Sequence, residues 1–302
     1  MFYSALAYGS WGLVAFYFKA VAAADLFEVL CHRVIWSVLL LTVMIHFRGQ
    51  WGEARELIRD PGTWRLLGPS TVLIAINWTL FIYAVVTDRL VDASLGYFIN
   101  PLVSIVLGMV FLGERLRPRQ WVAVALAALG VVVYTWTVGS LPWISLVLAF
   151  SFGLYGLVRK QARAGPIIGL AFETALLAPA GVVYLIVMNA TGVRPVAFLD
   201  RTGAGSPALD LLLVAAGVVT TFPLLWFAGA ARRLRLSTIG FMQYTSPTLQ
   251  FLIAVFVFGE PFDSARAVSF AVIWAGVAVF LTDSLHNRYV TRERATRAVF
   301  TD

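Results

Sequence analysis

The chain repeats itself at a fixed distance, and the repeated stretch reads as an odd number of hydrophobic spans. At an offset of 146 residues, Val72, Phe81, Ala84, Arg89, Leu90, Pro101, Gly113, Glu114 and Gly130 match Val218, Phe227, Ala230, Arg235, Leu236, Pro247, Gly259, Glu260 and Gly276 without a gap. A weaker match joins Ser10, Gly12, Leu13 and Lys19 to Ser151, Gly153, Leu154 and Lys160 at an offset of 141. A unit that crosses a bilayer an odd number of times must sit upside down relative to its copy. Many secondary transporters obtain two alternately opening faces in that way.

The bilayer follows from composition. Of 302 residues, 60% are apolar and 13% charged, and the mean hydropathy is +0.83. Soluble domains run at roughly 25% charged residues, so this chain has too little polar surface to cover a soluble fold. Each membrane helix needs about 20 mostly apolar residues. Ten such spans are expected near 2–20, 27–46, 66–86, 90–112, 119–138, 141–159, 166–189, 209–230, 236–258 and 265–285. The fold class is therefore an all-α membrane protein of two inverted five-helix repeats. Residues 1–138 form the first repeat, 139–286 the second, and 287–302 a charged tail expected to fray.

Charge sets the orientation. The net charge is +7; in a soluble chain that would suggest nucleic acid, for which no motif exists here. With the N-terminus inside, the inner links and tail hold 17 Lys and Arg, the outer links hold 5, and Arg33 lies within a span. This positive-inside split places both termini in the cytoplasm of a multi-pass cell-membrane protein. Glu114 then ends span 4 inside, and its mate Glu260 ends span 9 outside, as an inverted repeat requires. The GE pairs beside Arg115 and Arg266 read as helix-end structure. With Cys31 the single cysteine and only three histidines, neither an internal disulfide nor a metal site is expected. No cofactor is expected either.

Polar groups within spans are costly and usually face an interior or a water cavity. Span 2 carries Glu28, His32, Arg33 and Trp36. Arg33 or His32 could meet an anionic solute group, or His32 could take up a proton. The plainer reading pairs Glu28 with Arg33 or Lys19 to hold helix ends. Span 7 carries Glu173, read either as the ion-pair partner of Arg33 or as a protonatable coupling site. Spans 4 and 9 carry Tyr97, Asn100 and Pro101 opposite Gln243, Tyr244 and Pro247. Paired Pro breaks at corresponding points point to a binding site, though a Pro kink also serves packing. Asn77 and Trp78 in span 3, Thr221 in span 8, Trp11 in span 1 and Tyr155 in span 6 complete a candidate cavity. It would suit an aromatic or amphipathic small-molecule solute. Ala123/Ala127 and Ala271/Ala275 permit close helix approach, so spans 5 and 10 read as peripheral scaffold or a homodimer contact.

The strings RVIWS from Arg33, SLGYFINPL from Ser94, GERL from Gly113, SFGLYGLVRK from Ser151, TTFPL from Thr220 and RLRLSTIGF from Arg233 resemble the RarD branch of the EamA-like transporters. These belong to the drug/metabolite transporter superfamily. The resemblance implies ten helices in two inverted repeats, a central cavity walled by spans 1, 3, 4, 6, 8 and 9, and spans 5 and 10 outside. It leaves the solute open. Without HExxH, GxSxG or a phosphate-binding Gly-rich loop, an enzyme is not expected; a membrane-embedded enzyme or lipid-handling protein is the alternative.

Overall fold

A computed structural model describes residues 2–113, 115–162, 164–192, 196–198, 206–231 and 242–299. Among them every regular element is helical: α1 Phe2–Ala20, α2 Leu26–Phe47, α3 Trp51–Arg59, α4 Pro61–Val86, α5 Leu90–Leu112, α6 Pro118–Val138, α7 Trp143–Gln161, α8 Pro166–Thr191, α9 Pro207–Ala231, α10 Thr245–Leu252 and α11 Ser264–Val299. Eight of these are long and apolar enough to cross a membrane; α1, the short α3 and α10 fall short on that measure. Glu114 and the stretch 232–241, which carry sequence marks, lie outside the described residues.

The helices begin and end where the sequence leaves backbone groups without partners. Pro61, Pro118, Pro166 and Pro207 each open a helix, where a missing N–H costs nothing. Asp60 caps α4 by accepting from the N–H groups of Gly62 and Thr63, both at 3.1 Å. Two departures from the sequence expectation stand out. The polar interruption between Arg48 and Arg65 contains the short helix α3. The expected frayed tail instead continues α11 as helix to Val299, because extending a formed helix is far easier than nucleating one.

Mate spans 4 and 9 do not share one backbone. α5 runs unbroken for 23 residues through Pro101. Its mate turns at Tyr244, starts α10 with Pro247 in the first turn, and passes into a π-helical turn over Ile253–Val257. Each proline removes the donor that residue i−4 would use, so the carbonyls of Tyr97 and Gln243 lose their helical partners.

Hydrogen bonds gather five links at one end of the bundle. Lys19 in the last turn of α1 meets Asp88 after α4 at 2.5 Å. Glu28 Oε2 and Oε1 accept from the N–H groups of Ala197 and Phe198, between α8 and α9, at 3.0 and 2.8 Å. Glu260, between α10 and α11, accepts from Leu90 and Val91 N–H at 2.7 and 2.8 Å, capping α5. Burial lifts the Glu260 carboxyl above the ordinary carboxylate range, and those two backbone donors pull it partly back. Ser145 at the start of α7 donates to the Asp92 carbonyl at 2.6 Å, and Tyr134 near the end of α6 donates to the Asp92 carboxylate at 2.8 Å. This end is poor in Lys and Arg; the other is the basic end.

α6 and α11 pack against each other through small residues. A methyl on Gly276 would stand 2.9 Å from the Ala123 carbonyl oxygen, and Ala123 and Ala127 are buried there. That stripe is used inside the chain, whereas Ala271 and Ala275 face outward.

Candidate functional site

At mid-length the bundle is tied by amides to main-chain oxygens. Asn77 on α4 donates to the Leu148 carbonyl at 3.1 Å and to Ser151 Oγ at 3.0 Å. Its own oxygen accepts from the Tyr97 hydroxyl at 3.2 Å. Asn100 on α5 donates to the Ala149 carbonyl at 2.9 Å and accepts from Gln243 at 3.4 Å. α4 and α5 are thus bolted to α7, and the seam between the two sequence halves runs through Asn100 and Gln243. Gln250 on α10 makes the corresponding bond to the Trp11 carbonyl of α1 at 3.0 Å. Tyr17 of α1 donates to the Leu212 carbonyl of α9 at 2.9 Å.

Arg33 stands apart from this layer. Its guanidinium lies 4.2 Å from the Trp78 ring centroid and 5.5 Å from that of Phe18. Cation–π contact of this kind is favourable, but it leaves the edge of the fork free. The expected ion pair between Arg33 and Glu173 does not form. Glu173 instead accepts from Ser70 Oγ and from the Tyr155 hydroxyl at 3.3 Å, with Arg159 Nε at 3.9 Å. Arg159 takes Arg33's place because it folds back along α7 into the notch left by Gly169, where a methyl would collide with its guanidinium.

The readings that pair Glu28 with Arg33 or Lys19 fail as well. Lys19 is held by Asp88, and Glu28 by two backbone donors. Two N–H groups at hydrogen-bond distance satisfy a carboxylate better than one remote cation. His32 Nδ1 accepts from Trp36 Nε1 at 3.1 Å, its Nε2 lies 4.0 Å from Glu28, and its ring sits 4.5 Å from that of Phe198. His32 and Trp36 therefore form their own pair on α2. Trp11 joins Tyr8 and Phe227 in an aromatic cluster with centroids 5.4 and 5.8 Å away. Tyr244 stacks on Phe98 at 6.3 Å, Pro247 is buried in the first turn of α10, and Thr221 is buried with an unpartnered hydroxyl.

Open space adjoins the basic half of this arrangement. A cleft of about 230 Å³ between α5 and α7 is lined by Ser104, Gly108, Gly153, Gly156 and Lys160. It reaches Gly153, where a methyl would stand 3.6 Å from Asn100 Nδ2. A second cavity of about 310 Å³ lies between Asp60, Thr63 and Leu67 on one side and Gln161 and Ala164 on the other. Its wall residue Leu67 is one helical turn from Ser70.

Comparison with known proteins supplies the family. The pattern of the EamA-like transporter family matches residues 1–136. Protein RarD of Escherichia coli is 48% identical over 282 residues, 93% of each chain. An uncharacterized transporter of Vibrio cholerae is 46% identical over 286 residues, covering 95% of this chain and 93% of its own. The chain belongs to the EamA-like transporter family, among its RarD relatives. A solved crystal structure of 18% identity, covering 92% of this chain and 95% of its own with a TM-score of 0.58, shares the fold. As an EamA-like protein with eight apolar helices of spanning length, the chain is a multi-pass membrane transporter.

Several residues central to this transporter's interior carried no signal in the sequence. Ser70 is an ordinary serine beside Pro69. Arg159 counts there toward the positive-inside total and falls within the string from Ser151, with nothing to mark Glu173 as its partner. Ser151 and Gln250 each look like one polar residue in an apolar run. Only the helix that passes opposite gives them a partner.

Proposed function

We propose that this transporter is a secondary carrier of small organic metabolites or drugs, working by alternating access around the layer of Asn77, Tyr97, Asn100 and Gln243. It lies in the cell membrane with both termini cytoplasmic. The observation that carries the reading is the seam itself. Gln243 of one repeat meets Asn100 of the other at 3.4 Å, beside two prolines that each free a carbonyl.

The packing supports an inverted repeat of ten spans. Exchanging each helix for its sequence mate turns α5·α7 into α10·α1, α4·α7 into α9·α1 and α2·α9 into α8·α4, and returns α2·α8, α6·α11 and α5·α10 to themselves. All of these pairs pack. The units that move are then not the two sequence halves. Side-chain bonds to main-chain carbonyls tie α4 and α5 to α7, and α1 to α9 and α10. Each unit borrows one helix from the other repeat. With one end drawn together and clefts at the basic end, the arrangement corresponds to a carrier facing the cytoplasm.

Proteoliposomes carrying the full chain test this. Asn100→Ala and Gln243→Ala are expected to lower solute flux at least tenfold while membrane insertion stays intact; unchanged flux in both removes the site. Proton coupling through Glu173 or His32 is a further part of the proposal, supported for Glu173 by complete burial among two hydroxyls and one cation. Flux that ignores an imposed pH gradient eliminates it.

A further inference from the structure

We infer that the carried solute is an organic anion, a carboxylate on a flat apolar body, and that Arg33 is the residue that selects it. The inference rests on the transporter reading. Arg33 lies about seven residues into α2, roughly 10 Å along the helix from Leu26, and a cation at such a depth normally has a partner. Among the described residues no carboxylate stands within ion-pair distance of it, and its Nε is buried without a hydrogen-bond acceptor. The acids that could have served are engaged elsewhere. Glu28 caps the backbone at Ala197 and Phe198, and Glu173 is held by Ser70, Tyr155 and Arg159. Asp92 is held by Arg89 and Tyr134.

What surrounds Arg33 is aromatic. Trp78 and Phe18 present their rings to the guanidinium, and the Tyr97 and Tyr17 hydroxyls lie within electrostatic reach. Arg33 and Tyr97 are half-buried although they sit among core helices. Ring faces leave the two-pronged edge of the guanidinium free, and that edge matches a carboxylate in a two-bond geometry. The same rings would cover a flat apolar body. A cationic or zwitterionic solute is served less well, because the buried carboxylates nearby already have their donors.

The full-length protein is reconstituted into liposomes and offered an aqueous extract of cellular metabolites at pH 7, and retained compounds are identified by mass and sorted by charge. The expected result is concentration of compounds with net negative charge over protein-free liposomes. Arg33→Gln should cut their uptake at least tenfold, and Arg33→Lys should keep part of it, since lysine retains the charge and loses the fork. Where Arg33→Gln does not fold, Arg33→Lys decides: weakened anion uptake supports the assignment, and unchanged uptake overturns it. Retention of neutral or cationic compounds alone, or undiminished uptake by Arg33→Gln, overturns the anion assignment and leaves the transporter reading standing. Retention of nothing from the extract removes the transporter reading and this assignment together.

Discussion

The two ends of this bundle hold themselves together by different chemistry. At the end poor in basic residues, carboxylates reach across the chain to backbone donors: Glu260 to the first turn of α5, and Glu28 to the link before α9. At the basic end the buried acid Glu173 is met by side chains, Ser70, Tyr155 and Arg159, with cavities close by. Backbone donors are fixed by the helices that bear them, whereas a long arginine can swing away by giving up its contacts to Glu173 and the Gly165 carbonyl. The first end is built as a joint and the second as a clasp. The two ends differ in this way although the two halves share their sequence marks.

The comparison can be broken most forcefully at Glu260. Glu260→Ala leaves two buried N–H groups of α5 without an acceptor and should cost about 2–4 kcal/mol, read as a fall of several degrees in melting temperature of the detergent-solubilised protein. Gly96→Ala, at the same end, comes next. A methyl there would stand 2.6 Å from the Ser145 carbonyl oxygen, and since backbone must shift, a loss of about 1–3 kcal/mol is expected. The matching change at the basic end is Gly169→Ala. Its methyl meets only the tip of the Arg159 side chain, so stability should fall by less than about 1 kcal/mol, while the Arg159–Glu173 contact is lost and the pH dependence of flux changes. A melting-temperature loss for Gly169→Ala as large as that for Gly96→Ala would erase the distinction between joint and clasp. The smallest effect belongs to Asp88→Asn. The Lys19–Asp88 pair is largely exposed, and such pairs contribute about 0–1 kcal/mol, so its melting temperature should barely move.

Much of the fold was legible because the bilayer demands long apolar helices regardless of what they touch. The spans over α2 and α4–α9 and the helix-end role of Glu260 follow from local sequence. The site was legible only in outline. Tyr97 bonds Asn77 and Gln243 bonds Asn100, each asparagine also bonding a main-chain oxygen of α7, and Arg33 with Trp78 forms a separate group. Trp36 and His32 turned out to satisfy each other. A pairing of Arg33 with Glu173 follows from the need of a buried acid for a partner and from spans 2 and 7 being repeat mates, which says which helices correspond and nothing about which side chain reaches across.

By itself the sequence determined the solvent, the rough extent of most of the long apolar helices, and the family. Each of these depends on quantities summed along the chain or on strings of neighbouring residues. The tertiary structure alone decided the partners: that Arg159 rather than Arg33 meets Glu173, that α5 stays whole while α10 breaks into a π turn, and that α7 is bonded to α4 and α5. A buried charge takes whichever partners the packing brings within reach, and that reach is set by how helices pack, a property no single segment carries.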